Sequence, residues 1–500
     1  MSADAGLDLL AIDAFTFAPS LETTCEICLR EAGLGRRVGF VFLDIENVDQ
    51  FPISMDHKFG SRIYSAARKN RLERVRAIEG ILSANGVMVI PSVSRDRSTA
   101  EPSFENAGVD SLQALREFRP EGAALGIGVL SSLIRHTADS APDFAANREV
   151  IERILTSACA AFDLTRELIE FWNPSTVLVF NGRFAVSKGI AEAARISQKE
   201  VLYHEIVSSK DRFYLSPSPI HHVHSTRKDL HESWASAGAG RESVAAKYFS
   251  TGRGGIELYE APFLENQRSG HIVPPTGRRR IVYFVSSIDE YAAVEDGFEN
   301  PLFSSQHSAV EWLVKWTAAR SDTELVIRMH PRMTPLSVRE SSWWRSLAAP
   351  NVTVLPPDSP VDSYELALSA ARVVCFHSSM GAEATYLGIV SILIGDADYR
   401  GLDCVYEPAT TGELEEVLQD PTVAPKPREN CLPFGYQRLM RGEEYRFYRP
   451  ISFREGSFFG RRMTPDRKAL LFRRIGPHVL YRLVKIRNRG IFAKRTTSSP

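Results

Sequence analysis

Five hundred residues, 44% of them hydrophobic and 24% charged, describe a globular chain with a sizeable core, and a prior of about 100 to 200 residues per domain predicts two to four domains. No run of roughly 18 apolar residues is present to span a membrane, and MSADAGLDLL lacks the basic start and apolar stretch of a secretory signal, so the cytoplasm is the expected compartment. Six cysteines, at positions 25, 28, 159, 375, 404 and 431, are too few and too scattered for a disulfide framework.

The first predicted element contains two of these cysteines. CEIC has the form of half a zinc or redox site, but no second pair with zinc-site spacing follows, and LETTCEICLREAG reads as a helix leading into the strand VGFVFLD. A helix through SRIYSAARKNRLERVRAIEGILSANG and the strand VMVI come next. The long helical stretch FAANREVIERILTSACAAFDLTRELIEFW then precedes the strand STVLVFNGR, a helix from about Ser187 to Ile196 and the strand EVLYHE. Such strand-helix alternation predicts a parallel sheet. Past Glu205 the pattern weakens: SPSPIHHVHS reads as a loop, and two further helices are expected before Phe263.

The polar stretch LENQRSGHIVPPTGRRR, with its paired prolines and glycines, predicts a linker. A second alternating series follows through the strands IVYFVSS, ELVIRMH, NVTVLP, VVCFHS and VSILIG. Its helices are expected at about Ser305 to Ala319, Ser363 to Ser369, Gly381 to Leu387 and Thr411 to Leu418. Two parallel-sheet domains joined by one linker predict a cleft, with ligands outside the carboxyl ends of the strands. The expected division is 1–265, 266–430 and a basic segment 431–500.

From Arg438 to the end, 17 Lys and Arg stand against 4 Asp and Glu. Within that stretch KALLFRRIGPHVLYRLVKIRNRGIFAKR interleaves leucine, valine and aromatic residues with cations. An anionic membrane surface is the leading expected partner, which would place the protein at the membrane's inner face. Packing against the acidic body of the same chain is the alternative. A nucleic-acid patch is disfavoured, because no nucleic-acid motif is present.

Polar residues of the second series gather where strands end. IVYFVSSIDE ends in Ser286, Ser287 and Glu290; ELVIRMHPR ends in Arg328, His330 and Arg332; VVCFHSSMGAE ends in His377, Ser378 and Ser379, just before Gly381 and Glu383. Serine hydroxyls and open N–H groups at a helix start bind phosphate oxygens, and histidine or arginine neutralises further charge. Taken singly, each has a plainer reading: a serine N-cap, a first-turn acid, a strand-end histidine. Three strand ends offering them together exceed what caps require.

RMHPR followed some fifty residues later by HSSMGAEATYLGIVSILIG resembles the HP and SS/ST-type motifs of bacterial GT-B glycosyltransferases that build capsular and other surface polysaccharides. SSIDEYAAVEDGFENPLFSSQ, PPDSPVDSYEL, GLDCVYEP and, in the first half, VLVFNGRFAVSKGIAEAAR with LYHE look like the same group. The resemblance spans about Thr176 to Pro408. It implies two facing Rossmann-like domains in a GT-B α/β fold, with a nucleotide-sugar donor held mainly by the second. His330, Ser378 and Ser379 would hold the donor phosphates and Glu383 the ribose hydroxyls, with no metal and no separate cofactor. DAD at Asp396 to Asp398 matches a DxD motif literally, but it follows a predicted strand in the wrong type of domain and reads as a polar loop.

An inverting transfer needs a base for the acceptor hydroxyl, expected from the first domain across the cleft: Asp44 or Glu46 in FLDIENVD, or Glu205 in LYHE. Asn181, Gly182 and Arg183, at another strand end, are expected to touch acceptor or donor. The expected reaction moves a sugar from a CMP-, UDP- or GDP-linked donor to a glycan or lipid-linked acceptor. A non-hydrolysing sugar-nucleotide epimerase uses the same kind of cleft, and a catalytically silent nucleotide-sugar or glycan-binding scaffold is the reading outside enzymology.

Overall fold

The computed structural model describes residues 6–49, 57–94, 108–251, 267, 270–288, 302–333, 336–453 and 455–463, with the backbone alone for 57–70 and 251. Glu290 and the stretch beginning KALLFRR lie outside the described residues.

The first sheet has seven strands: β1 (Leu9–Asp13), β2 (Val38–Phe42), β3 (Met88–Val89), β4 (Thr176–Phe180), β5 (Glu200–Ile206), β6 (Arg212–Ser216) and β12 (Glu443–Glu444), in the order β12-β6-β5-β4-β1-β2-β3. β1 to β5 run parallel, and β6 and β12 close one side antiparallel. The winding therefore reverses between β1 and β4, the topological switch point of a doubly wound sheet. β1 is the middle one of the five parallel strands, although the sequence pattern starts the sheet at β2. All five residues of LLAID are buried, so this strand carries none of the alternation by which a half-buried strand is recognised.

The second sheet contains β7 (Arg279–Phe284), β8 (Thr323–Arg328), β9 (Val352–Leu355), β10 (Arg372–Cys375) and β11 (Ser391–Leu393), all parallel, in the order β11-β10-β7-β8-β9. It repeats the winding of the first sheet, with its switch point between β7 and β10. Each sheet thus has the doubly wound, Rossmann-like winding of an α/β fold.

Among the described residues the units are joined by a shared apolar core that includes Leu133 and Ile154 of the first and Tyr283 and Trp344 of the second, and by further contacts. Helices Val223–Ser236, Arg241–Thr251 and Leu432–Met440 share a core with Ala382, Leu393 and Tyr399 of the second unit, and Arg227 of the first of these helices pairs with Asp396. On another side Asp139, just past helix Leu125–Thr137, accepts from Ser337 Oγ (2.9 Å) and Arg339 Nε (3.0 Å).

After Leu432–Met440 the chain returns to the first unit. β12 pairs with β6, and the buried Glu26 carboxylate accepts from the backbone N–H groups of Arg446, Phe447 and Tyr448 at 2.7, 2.9 and 2.7 Å. β13 (Tyr448–Ser452), β14 (Glu455–Phe458) and β15 (Arg461–Met463) form a small antiparallel sheet. Its inner residues Tyr448, Phe458 and Met463 join a core with Leu21, Cys28, Val75 and Ile78. The segment expected to be a basic tail thus packs on the body as far as Met463. Among the described residues no helix is long and apolar enough to cross a membrane.

Cys25 and Cys28 lie in helix Ser20–Gly33 with no exposed surface, and burial pushes both thiols well above their usual range. They are core residues, in keeping with the helical reading of CEIC.

Candidate functional site

In the second unit the site is built from the backbone outward. Gln306, fully buried on helix Gln306–Ala318, accepts from the Ser286 N–H (2.7 Å) and donates to the Ser286 carbonyl (3.2 Å). Held in this way, Ser286 Oγ accepts from the His377 N–H at 2.8 Å. The carboxyl ends of β7 and β10 are thereby fastened together at the switch point, with the buried Ser287 beside them.

The two histidines of the rim carry opposite polarity. His377 Nδ1 donates to the Asp396 carbonyl, so in the neutral ring Nε2 is the acceptor nitrogen. His330, past the end of β8, accepts at Nδ1 from the Arg332 N–H (3.1 Å), so its neutral ring bears the proton on Nε2. Asp396 itself receives Arg227, the Ala397 N–H (3.0 Å) and, at 3.6 Å, Arg400. The DAD segment is therefore bound to arginine through its first aspartate.

The serines divide their roles. Ser378 Oγ accepts from the Met380 N–H (3.3 Å), and its carbonyl accepts from the Tyr399 hydroxyl (2.7 Å). Ser379 stands at the N-cap position of helix Met380–Tyr386, but its side chain makes no cap hydrogen bond. Gly381 explains the tyrosine's approach, because a Cβ there would lie 2.1 Å from the Tyr399 hydroxyl oxygen.

Glu383 is buried and accepts from Tyr364 (2.6 Å) and from Tyr248 (3.2 Å), a residue of helix Arg241–Thr251. Arg328 is spent within the fold. Its buried guanidinium donates to the carbonyls of Pro356 (2.7 Å) and Ser359 (3.2 Å), and burial pulls it down to about 10. Ser286, His377, Ser378, Ser379 and Gly381 thus converge, His330 and Arg332 flank them on the neighbouring strand, and Arg328 turns to backbone instead.

In the first unit the candidate residues stand at the ends of β4 and β5, next to the switch point between β1 and β4. Asn181 (φ 61°) and Gly182 (φ 76°) are left-handed, and a Cβ on Gly182 would lie 2.3 Å from the Tyr203 ring. This turn aims the Asn181 amide. Its Oδ1 accepts from the Arg183 N–H (3.0 Å), and its Nδ2 donates to Glu205 and to His221 Nε2 (3.0 Å).

Burial pushes the Glu205 carboxyl up to about 7, against the opposing hydrogen bonds of Asn181 and Ile206 and the charges of Arg135 and Arg183. A carboxyl that titrates near neutrality is matched to proton transfer. Asp44 pairs with Arg71 at 2.5 Å, and Glu46 pairs with Arg153. Of the three carboxylates expected from the sequence, Asp44 and Glu46 are bound in ion pairs, and Glu205 meets the Asn181 amide instead. Arg183 donates from Nε to Ser131 Oγ at 2.7 Å.

Two constituents were missed in the sequence. His221 completes the Asn181 and Glu205 group from within SPSPIHHVHS. Asp13, at the end of β1, accepts from the Phe15 N–H (2.8 Å) and the Thr24 hydroxyl (2.6 Å), and Thr24 Oγ lies 3.0 Å from His204 Nε2. Burial raises Asp13 to about 6 and lowers His204 to about 3. The available signal was an acid closing a short apolar run, LLAID. Among the described residues no group of three or more His, Cys, Asp or Glu is placed to hold a metal ion.

No family model and no curated protein matches the chain. Solved structures with a similar path include the β-Kdo 2,4 transferase KpsC of Thermosulfurimonas dismutans, at 12% identity over 52% of this chain and 78% of that one, with a TM-score of 0.35. The S. aureus MnaA co-structure with UDP is similar at 10% identity over 86% and 93%, TM-score 0.30. The UDP-GlcNAc 2-epimerase of Neisseria meningitidis bound to UDP-GlcNAc is similar at 10% over 87% and 94%, TM-score 0.25.

Proposed function

We propose that this protein is a metal-independent glycosyltransferase of surface-polysaccharide assembly, moving a sugar from a nucleotide-sugar donor to a hydroxyl of a glycan or lipid-linked acceptor. The observation that carries the reading is Glu205, raised to about 7 and oriented by Asn181 and His221 at the carboxyl edge of one sheet. A second carboxyl edge offers His330, His377, Ser378 and Ser379. Such a pairing supplies a base to one reactant and neutralising donors to the other.

In this mechanism the donor's phosphate or diphosphate lies over the β7/β10 switch point. The Nε2 proton of His330 and the Ser379 hydroxyl reach its oxygens, which gain charge as the glycosidic bond breaks. His377 accepts a hydrogen bond when neutral and donates one when protonated. Glu205 takes the proton of the acceptor hydroxyl as that oxygen attacks the anomeric carbon, and the nucleotide leaves with the bonding electron pair. Asn181, Gly182 and Arg183 border the acceptor.

The test begins with thermal shifts for CMP, CDP, UDP, GDP and their sugar conjugates on the wild type and His330→Ala. At a hundred times the dissociation constant, binding adds about 2.7 kcal/mol of stability. A shift with one nucleotide family that His330→Ala removes, followed by nucleotide release that requires an acceptor, is the expected result. Interconversion of two free nucleotide sugars without acceptor would make the protein an epimerase. Binding without either reaction would make it a scaffold.

A further inference from the structure

The β13 to β15 sheet has an outer face that its fold does not explain. Tyr448, Phe458 and Met463 point into the first unit, which leaves a cross-strand row of Arg449, Ser457 and Arg462 on the opposite face. Phe459 and Gly460 form the turn between β14 and β15 with φ of 48° and 78°, and Phe459 is 59% exposed. Left-handed turn positions of this kind favour Asn, Asp or Gly, and a phenylalanine there is strained without gaining burial. The Phe447 ring lies 5.7 Å from it between centroids. At the other end a register irregularity between Pro450 and Ser452 turns Ile451 outward, 55% exposed.

Arg449 and Arg462 on this face are exposed, and Glu455 pairs with Arg462; Arg461, opposite the inward Phe458, is exposed at the edge of the sheet. Past Met463 the sequence continues with 10 Lys and Arg against a single Asp. An arginine row between two exposed apolar ends matches the boundary of an anionic bilayer, where aromatic side chains enter the acyl region and guanidinium groups stay among phosphates.

We infer that the outer face of the Tyr448–Met463 sheet docks on an anionic phospholipid membrane, with Phe459 as the inserting residue and Arg449 and Arg462 in the headgroup layer. Strain at Phe459 is the local trace of this role: the position is filled for what it contacts outside the protein, at the expense of its turn. Docking by this face would bring the acceptor-side unit, on which the sheet is packed, to the bilayer. The inference stands whether or not the reaction proposed above is correct.

The full-length chain would be sedimented with vesicles of phosphatidylcholine alone and of phosphatidylcholine with phosphatidylserine. Wild type is expected to bind the anionic vesicles selectively. Phe459→Asn should bind them about tenfold more weakly, since one large apolar side chain leaves the bilayer. Its thermal midpoint should be unchanged or higher, because asparagine suits the turn. Arg449→Gln should weaken binding roughly fivefold, as one cation near the surface contributes about that much. Phe459→Gly provides a second turn-compatible replacement.

Equal binding by wild type and both Phe459 variants would overturn the proposal, as would binding to neutral vesicles alone. A self-association in sedimentation velocity that Phe459→Asn abolishes would assign the face to a second copy instead. Nucleotide thermal shifts that are the same in wild type and Phe459→Asn would show that any loss belongs to this face and not to the donor site.

Discussion

Ser286 Oγ accepts from the His377 N–H at 2.8 Å and so ties the ends of β7 and β10 at the point where the strand order of the second sheet reverses. Neither residue is held by sequence neighbours alone: Gln306 fixes the serine's backbone, and the Asp396 carbonyl fixes the imidazole. The bond determines how far apart the two strand ends stand, and that spacing sets the width of the proposed phosphate seat.

Ser286→Ala removes the acceptor while leaving the His377 N–H in place. A buried donor left unsatisfied costs about 1–3 kcal/mol. Urea unfolding should register that loss, and the dissociation constant of the preferred nucleotide should rise. An unchanged constant in a destabilised variant would confine Ser286 to a stability role.

Glu205 must be deprotonated to accept a proton, so transferase activity should climb as pH rises through about 7 and level off above it. Glu205→Gln should lower turnover by about 10²–10⁴-fold with nucleotide thermal shifts retained. Parallel loss of both would mean that Glu205 supports the fold and not the chemistry.

Asp13 and His204 give opposite slopes to the stability curve. The folded-state value of Asp13 is raised from 3.8 to about 6, so its contribution is fully present below 3.8 and is lost as pH rises through 6. That of His204 is lowered from 6.5 to about 3, so the folded state loses stability as pH falls from 6.5 toward 3. The two largely offset each other between pH 4 and 6. Asp13→Asn should expose the histidine's slope, adding about 1.4 kcal/mol of stability per pH unit on going up through that window relative to wild type. Denaturant midpoints at pH 4, 5 and 6 for both proteins measure the difference directly.

Glu26 holds three consecutive backbone N–H groups of the returning chain and also Arg30 Nε at 2.8 Å. Glu26→Ala takes one partner from a buried charged network, which costs about 3–5 kcal/mol. Limited proteolysis should then cut between Met440 and Tyr448 at protease levels that leave wild type intact.

Much of this architecture was legible because the second unit repeats a simple alternation. Its five strands and the helices after β7, β9, β10 and β11 lie where the pattern predicts, and the serine and histidine cluster around His377 is visible in the sequence because polar residues there interrupt apolar runs. What stayed hidden has physical reasons. β1 is buried on both faces and has no period. Arg328 reads as a phosphate ligand beside HP, yet its guanidinium reaches carbonyls 28 and 31 positions away. Asp44 and Glu205 look alike as acids near strand ends, and the arginine paired with Asp44 against the asparagine that meets Glu205 separates them. His221 looked like a loop residue because its partner, Asn181, is 40 positions distant.

The return of the chain to its first unit also sets a timetable. Phe213 of β6 pairs with Glu443 of β12, so the outer strand of the first sheet is translated last. At ~5–20 residues per second, the roughly 230 intervening residues occupy the ribosome for about 10–45 s. Throughout that interval β6 has β5 on one flank and an open row of N–H and C=O groups on the other, the kind of edge on which a foreign strand can nucleate. The newborn protein is therefore most vulnerable to aggregation between completion of its first five parallel strands and emergence of residues 443–444.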